Sequence, residues 1–301
     1  MNTGVPAGSE QPVPALRNSV VEPTVLRMLL GTQLRRLREA AGITPEQAAY
    51  EIRASRSKIS RMESGRGKFK DRDLADLLTF YGVADDQQRS SFRSLARQSN
   101  RADWWAKYSG ILPDWFEPYL GLESAASTIR SLDIQFVPGL FQTDDYARAA
   151  IRLGHPSDTA EQIEHRVGLR IKRQDLIGKP TPPRIWSVMD EAVLRRPVGG
   201  PEVMRAQLDH LAKMALLPHV TIQVLPFARG GHSGESGSFT VLRFKEHDLP
   251  DLVYIEQLTS AIYLEQRAEV ELYLAVMDQL SGEALTPAAT VDFIKQIAED
   301  V

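Results

Sequence analysis

The stretch TPEQAAYEIRASRSKISRMESG, residues 44–65, decides how the front of this chain folds. Thr44 can cap a helix, Pro45 suits the first helical position because its missing N–H would go unpaired there anyway, and Gln47 completes a capping box. Ala48, Ala49 and Ile52 then share one face at helical spacing. Only Arg53 and Ala54 separate this short helix from Ser55, which can cap a second helix over 56–64 with Ile59 and Met62 inward and Gly65 as its stop.

Working outward, Leu30, Leu34, Leu37 and Ala41 fall at helical spacing in a helix that begins near Leu26, with Arg35, Arg36 and Arg38 between them and Gly42 ending it. Two more helices are predicted over 71–81 and from 85 to about 96. Five short helices in succession predict a compact all-helical domain over 24–98. Residues 1–22, rich in Pro, Gly, Ser and Val without periodicity, read as a disordered arm.

Small residues at a helix crossing, a tight connection and a polar outer face on the second helix are what a helix-turn-helix requires. In that motif the first helix crosses the DNA backbone and the N-terminal residues of the second meet base edges in the major groove. The charge distribution agrees. Residues 1–100 carry 16 Lys+Arg against 11 Asp+Glu, whereas the rest carry 20 against 28, so a net charge of -3 conceals a basic front and an acidic remainder. Nucleic acid needs a basic surface, not a basic whole.

Residues 27–81 resemble the Xre family of phage-repressor-type helix-turn-helix domains. By that resemblance Arg56, Ser57 and Arg61 occupy base-reading positions, with the cap Ser55 beside them. Lys58, Ser60, Thr44 and Gln47 sit where phosphate or flanking contacts are usual, and Lys68 and Lys70 extend the basic strip. The chemistry fits, since arginine can donate two hydrogen bonds to guanine while lysine and hydroxyl groups hold phosphates. The plainer alternative is a solvated helix face. The resemblance also implies an ion pair between Arg38 and Glu63. Many relatives have glycine where this chain has Arg53, and a non-glycine residue at positive φ carries strain, which leaves the turn geometry open.

Beyond this domain the 301-residue chain is long enough for a second one. Residues 99–114 lose periodicity and read as a linker, with Trp104 and Trp105 anchoring it to a surface. From Trp115 onward helices are predicted over 116–131, 144–153, 158–177, 201–217, 266–281 and 287–298. The strand candidates are RIWSVM, VTIQVL, SFTVLRF, LVYIEQ and AIYLE. The last three follow closely enough for an antiparallel meander, so residues 115–299 are expected to form an α+β domain with a small, mainly antiparallel sheet. Residues 115–297 resemble the C-terminal domain of actinobacterial Xre regulators of the WhiJ-like kind, notably in WFEPYLGLESAA, FVPGLFQTDDYARA, VMDEAVLRRPVGG and LVYIEQL. That resemblance implies regulators of development or antibiotic production, often encoded beside a small partner protein.

Within this second domain, Arg170, Arg173 and Gln174 share a helix face and Asp190 with Glu191 ends a strand. Together with Glu123, Gln142 and Tyr146 they could line a ligand or partner pocket, and a structural salt-bridge network explains the same residues. His232 lies in GGHSGESGS, residues 230–238, which reads either as a lid or as a solvated hairpin loop.

Several classes are disfavoured. The absence of cysteine removes disulfides, thiolate nucleophiles and cysteine zinc sites, and fits a reducing compartment. No stretch approaches ~18 apolar residues and the N-terminus lacks signal-peptide character, so the expected location is cytoplasmic, at the nucleoid, without membrane contact. The six histidines form no metal-ligand spacing, and neither a GxSxG elbow nor a P-loop occurs, so no metal, cofactor or enzymatic activity is expected. The expected function is a homodimeric transcription regulator on double-stranded DNA, whose C-terminal domain dimerises and takes a signal from a small-molecule effector or a protein. Two alternatives stay open: an antitoxin-like protein that restrains a small partner protein, and an enzyme acting through Asp190, Glu191 and His232.

Overall fold

Burial of the apolar stripes organises both halves of the chain in the computed structural model, which describes residues 23–246 and 249–301. The chain divides into two units between Arg101 and Ala102. The first holds α1 (Pro23–Ala40), α2 (Pro45–Glu51), α3 (Arg56–Glu63), α4 (Asp71–Phe80) and α5 (Asp86–Ser99). α1 begins earlier than periodicity alone indicated, because Val25 is already buried. The arm predicted over 1–22 lies outside the described residues. Leu30, Leu34, Ala48, Ile59, Met62, Leu74 and Leu78 make a single core. Each large side chain among them contributes about 1.5–3 kcal/mol by leaving water.

The stretch 99–114, read above as a linker, is folded chain. Ser99 ends α5, and its carbonyl accepts from Arg27 Nη1 at 2.8 Å. After the division, Trp105 and Tyr108 are buried against Leu120 and Leu169, on either side of the start of a 3₁₀ turn, Ala106–Ile111. Two aromatic side chains seeking burial outweigh the absence of a repeating pattern.

The second unit is built on β1 (Thr128–Asp133), β2 (Arg184–Asp190), β3 (Val220–Leu225), β4 (Phe239–Arg243), β5 (Leu252–Glu256) and β6 (Ala261–Leu264), in the order β3-β2-β1-β4-β5-β6. β1, β2 and β3 run parallel, with Ile129 beside Ile185 and Ile185 beside Val220. β4, β5 and β6 form the expected antiparallel meander, and β4 also pairs antiparallel with β1. The sheet is thus six-stranded and mixed, which corrects the small, mainly antiparallel sheet expected from sequence.

The helix predicted over 116–131 is likewise corrected. α6 (Glu117–Ala125) stops there and β1 begins at Thr128. Ile129, Ser131 and Asp133 alternate on one face of β1, and two of the three are polar, so the alternation is hidden in the sequence. Ser131 Oγ donates to Asp133 at 2.7 Å, which makes that polar burial tolerable.

Parallel strands need crossovers. α7 (Asp144–Gly154) and α8 (Ala160–Arg173) connect β1 to β2, and α9 (Glu191–Arg195) and α10 (Pro201–Met214) connect β2 to β3. α11 (Arg267–Glu283) packs Val270, Met277 and Leu280 on Leu132, Val188, Val241 and Val253. α12 (Pro287–Asp300) and the residue before its cap close the β3 edge, with Leu285 N donating to Val224 O at 2.8 Å and Val224 N to Thr290 Oγ1 at 3.3 Å. Among the described residues no helix is long and apolar enough to cross a membrane.

Candidate nucleic-acid interface

α2 and α3 form the two-helix element anticipated from residues 44–65. Thr44 Oγ1 accepts from Gln47 N at 3.3 Å while Gln47 Oε1 accepts from Thr44 N at 2.8 Å, and Ser55 Oγ accepts from Lys58 N at 3.3 Å. Between the helices Arg53 takes φ +52°, the one non-glycine residue at positive φ among the described residues. The glycine-type turn is kept without glycine, at about 1–3 kcal/mol of backbone strain.

α3 is held at its C-terminal end. A Cβ on Gly31 would lie 2.4 Å from Met62 O and 2.5 Å from Glu63 O, so α1 meets α3 backbone to backbone. Gly65, at φ +70°, packs as closely on Met28 of α1. Arg38 Nε and Nη2 donate to the Glu63 carboxylate at 2.6 and 2.9 Å, and Nη1 donates to Ile43 O at 2.9 Å. The Glu63 hydrogen bond pushes Arg38 above its ordinary pKa despite burial.

Ile59 and Met62 face the core, while Ser55, Arg56, Ser57, Ser60 and Arg61 are exposed. Among the described residues the one ion pair of Arg56 is with Glu46 of α2, at 3.1 Å from Nε, and both side chains are more than half exposed. Lys58 differs from the others. Its Nζ lies 2.5 Å from Asp73 Oδ2, tying α3 to α4, and the pair is largely sheltered. Lys68 and Lys70 are exposed on either side of buried Phe69, whose N donates to Asn100 Oδ1 at 3.1 Å and whose O accepts from Asn100 Nδ2. Sequence reasoning missed Gly31, Asp73 and Asn100, which position this face without belonging to it.

In the second unit six of the nine candidate pocket residues are brought together. Arg173 donates to Glu123 at 2.7 and 2.8 Å and lies over the Phe116 and Tyr119 rings, and Tyr119 Oη donates to Glu123 at 3.0 Å. Arg170 Nη1 donates to Gln142 Oε1 at 2.9 Å, Gln142 Nε2 to Val137 O at 2.7 Å, and Val137 N to Tyr146 Oη at 3.2 Å. Gln174 Nε2 donates to Gln142 O at 2.7 Å and Gly139 O at 3.1 Å. Burial, with Arg173 adding to it, lowers Arg170 to about 10. These polar atoms satisfy one another inside the unit, the arrangement of a structural network.

The other three divide. Asp190 Oδ1 accepts from Ala192 N at 2.8 Å, capping α9, and Oδ2 lies 3.6 Å from His232 Nε2. Glu191 is turned away to Arg195 at 2.5 Å and to Phe227 N at 2.7 Å. The glycine-rich loop is packed down: a Cβ on Gly234 would lie 2.4 Å from Leu132 Cδ2, and Ile134 N donates to Ser238 Oγ at 3.2 Å. Close by, burial raises Asp133 to about 6 against the hydrogen bonds from Ser131 and Ser187.

Two family profiles match the chain: a helix-turn-helix domain over residues 29–92 and a domain of unknown function (DUF5753) over residues 116–296. No curated protein and no solved structure matches it. The helical unit is therefore a helix-turn-helix domain, a module of DNA binding, standing in front of an α+β unit.

Proposed function

The chain belongs to the family of the domain of unknown function DUF5753, and from that premise we propose that it is a sequence-specific transcription regulator of the Xre, WhiJ-like kind. Its helix-turn-helix domain reads one half-site of an operator, and its C-terminal unit pairs two copies and receives a signal. The observation that carries the reading is the exposure of Ser55, Arg56, Ser57, Ser60 and Arg61 on the face of α3 opposite buried Ile59 and Met62. These side chains match base edges and phosphates in chemistry, and Ser55, Arg56 and Ser57 lie at the N-terminal end of the helix, the end that meets base edges in the major groove. The exposed Arg56–Glu46 pair does not oppose this. Such pairs are worth about 0–1 kcal/mol, whereas a bidentate arginine–guanine contact discriminates by about 1–3 kcal/mol. Two-half-site recognition supplies the reason for a homodimer.

The test is operator affinity of the full chain on DNA recovered by in vitro selection. Arg56→Ala and Arg61→Ala should each lose about 1–3 kcal/mol and relax preference at one position, with unchanged melting. Parental affinity in both variants, or loss of folding, refutes the assignment of α3 as reader. Sedimentation of the chain as a monomer, with and without operator, refutes the pairing.

A further inference from the structure

Arg152 in the last turn of α7 and Arg196 at the end of α9 line one open groove of about 480 Å³ on the second unit. Both are exposed, and neither guanidinium has a hydrogen bond or ion pair among the described residues. Glu164, whose carboxyl is held down chiefly by its hydrogen bond from Arg148, feels Arg152 only through space. Arginines on the same two helices are engaged: Arg148 with Glu164 and Asp145, Arg195 with Glu191. The two unpaired cations stand in a stretch, residues 101–301, with eight more acidic than basic side chains.

Between the charges the groove is mainly apolar, with Gln135 as its polar neutral side chain. Phe136, Pro197 and Val198 line it, and Leu153 stands 65% exposed at its edge. The site is built rather than left over: at Gly199, φ +79°, a Cβ would lie 3.0 Å from that of Ala149, so the loop after α9 sits directly on α7. The walls are Gln135 and Phe136, just after β1, the last turns of α7, and Arg196 to Gly199 after α9. The volume falls within the ~300–1,000 Å³ usual for small-molecule pockets, while one exposed leucine is too little apolar surface for a protein interface.

We propose that this groove is a binding site for a small organic acid with an apolar body. The carboxylate is bridged by Arg152 and Arg196, and the hydrocarbon part lies on Phe136, Leu153 and Val198. A neutral ligand would leave both cations unmatched, and an inorganic anion would leave Leu153 in water. The site deepens the proposal that the C-terminal unit receives a signal, and as an effector site it rests on that reading.

Calorimetric titration of the full chain with octanoate, octan-1-ol and inorganic phosphate tests it. Octanoate should bind saturably at one site per chain, octanol more weakly, and phosphate not measurably. Arg152→Ala and Arg196→Ala should each weaken octanoate about tenfold or more, the usual loss for a charge-assisted hydrogen bond, and leave octanol unchanged. Leu153→Glu, at an exposed position where folding is unaffected, should weaken octanoate more than octanol. Absence of saturable octanoate binding, or binding indifferent to both arginines, overturns the site and leaves the DNA-binding reading untouched. Arginine-dependent octanoate binding that leaves operator affinity unmoved keeps the site and refutes signal reception through it.

Discussion

Replacing Glu63 by alanine should destabilise the helix-turn-helix unit without altering what its proposed reading face recognises. Arg38 and Glu63 are each less than a tenth exposed, and the guanidinium makes two bonds to the carboxylate and one to Ile43 O. Removal of Glu63 leaves a buried cation with the Ile43 carbonyl and only the half-exposed Glu39 carboxylate, 3.7 Å from Nη2, to face it. Breaking a buried pair from one side costs about 3–5 kcal/mol, because the remaining charge has lost water and partner together. At about 4 °C or more per kcal/mol for a domain of this size, the melting temperature should fall by roughly 12 °C or more. Trp104, Trp105, Trp115 and Trp186 all lie in the second unit, so far-ultraviolet circular dichroism follows both units while tryptophan fluorescence follows only the second. The loss should appear as an early step in the dichroism. At a temperature where the variant is still folded, operator affinity should match the parent. A fall of less than ~3 °C would refute the assigned cost of burial. Weakened operator binding by the folded variant would show that the pair also shapes the reading face.

Lys58→Ala should lower the melting temperature, since Lys58 ties α3 to Asp73 of α4, whereas Lys68→Ala and Lys70→Ala should leave it unchanged. Each of the latter should weaken binding to all sequences alike and flatten the log–log salt dependence by about 0.9 for each phosphate no longer neutralised, as read by affinity at several salt concentrations. Gly31→Ala forces a Cβ against the backbone of residues 62 and 63 and should cost about 1–3 kcal/mol by denaturant titration; a neutral result would mean the α1–α3 approach is looser than described. Asp133, raised from 3.8 to about 6, binds its proton more tightly folded than unfolded, so its contribution is greatest below pH 4 and is lost as pH rises through about 6. Asp133→Asn should remove that fall, worth up to about 3 kcal/mol, and be the more stable form at pH 8 by chemical denaturation.

The helical unit was legible because its instructions are local. The capping box of Thr44 and Gln47, the cap at Ser55 and the spacing of Ile59 and Met62 each act within one turn, and each is present in the structure. What escaped was long-range. Lys58 reads as a phosphate contact until Asp73, 15 residues on, supplies its partner. β1 escaped because its inward polar residues, Ser131 and Asp133, satisfy each other rather than alternate with apolar ones. The parallel half of the sheet was partly visible, since RIWSVM, a helix and VTIQVL already make a strand–helix–strand run, but the three closely spaced later strands outweighed it. The six-residue polar network was readable as a set of residues sharing a region, not as partners. Arg152 and Arg196 come from separate crossovers, and no pattern along the chain joins them.

Every close constraint between α1 and α3 falls on one end of the reading helix. Gly31 and Gly65 bring α1 against residues 62–65, and Arg38 takes hold of Glu63. The opposite end carries the Ser55 cap and, from the side, the Lys58–Asp73 pair. A helix anchored at its C-terminus presents its N-terminal dipole and first N–H groups outward, the end that favours anions. Arg56 stands in that presented first turn and Arg61, exposed as well, in the last, and among the described residues the weak Glu46 contact is the one ion pair either makes. The second unit shows the same contrast between engaged arginines, Arg148, Arg166, Arg173 and Arg195, and the two unengaged ones at the groove. Folding does not require an exposed, unpaired arginine beside apolar surface. On the proposed reading DNA completes such residues in the first unit, and in the second the same chemistry calls for a small acid.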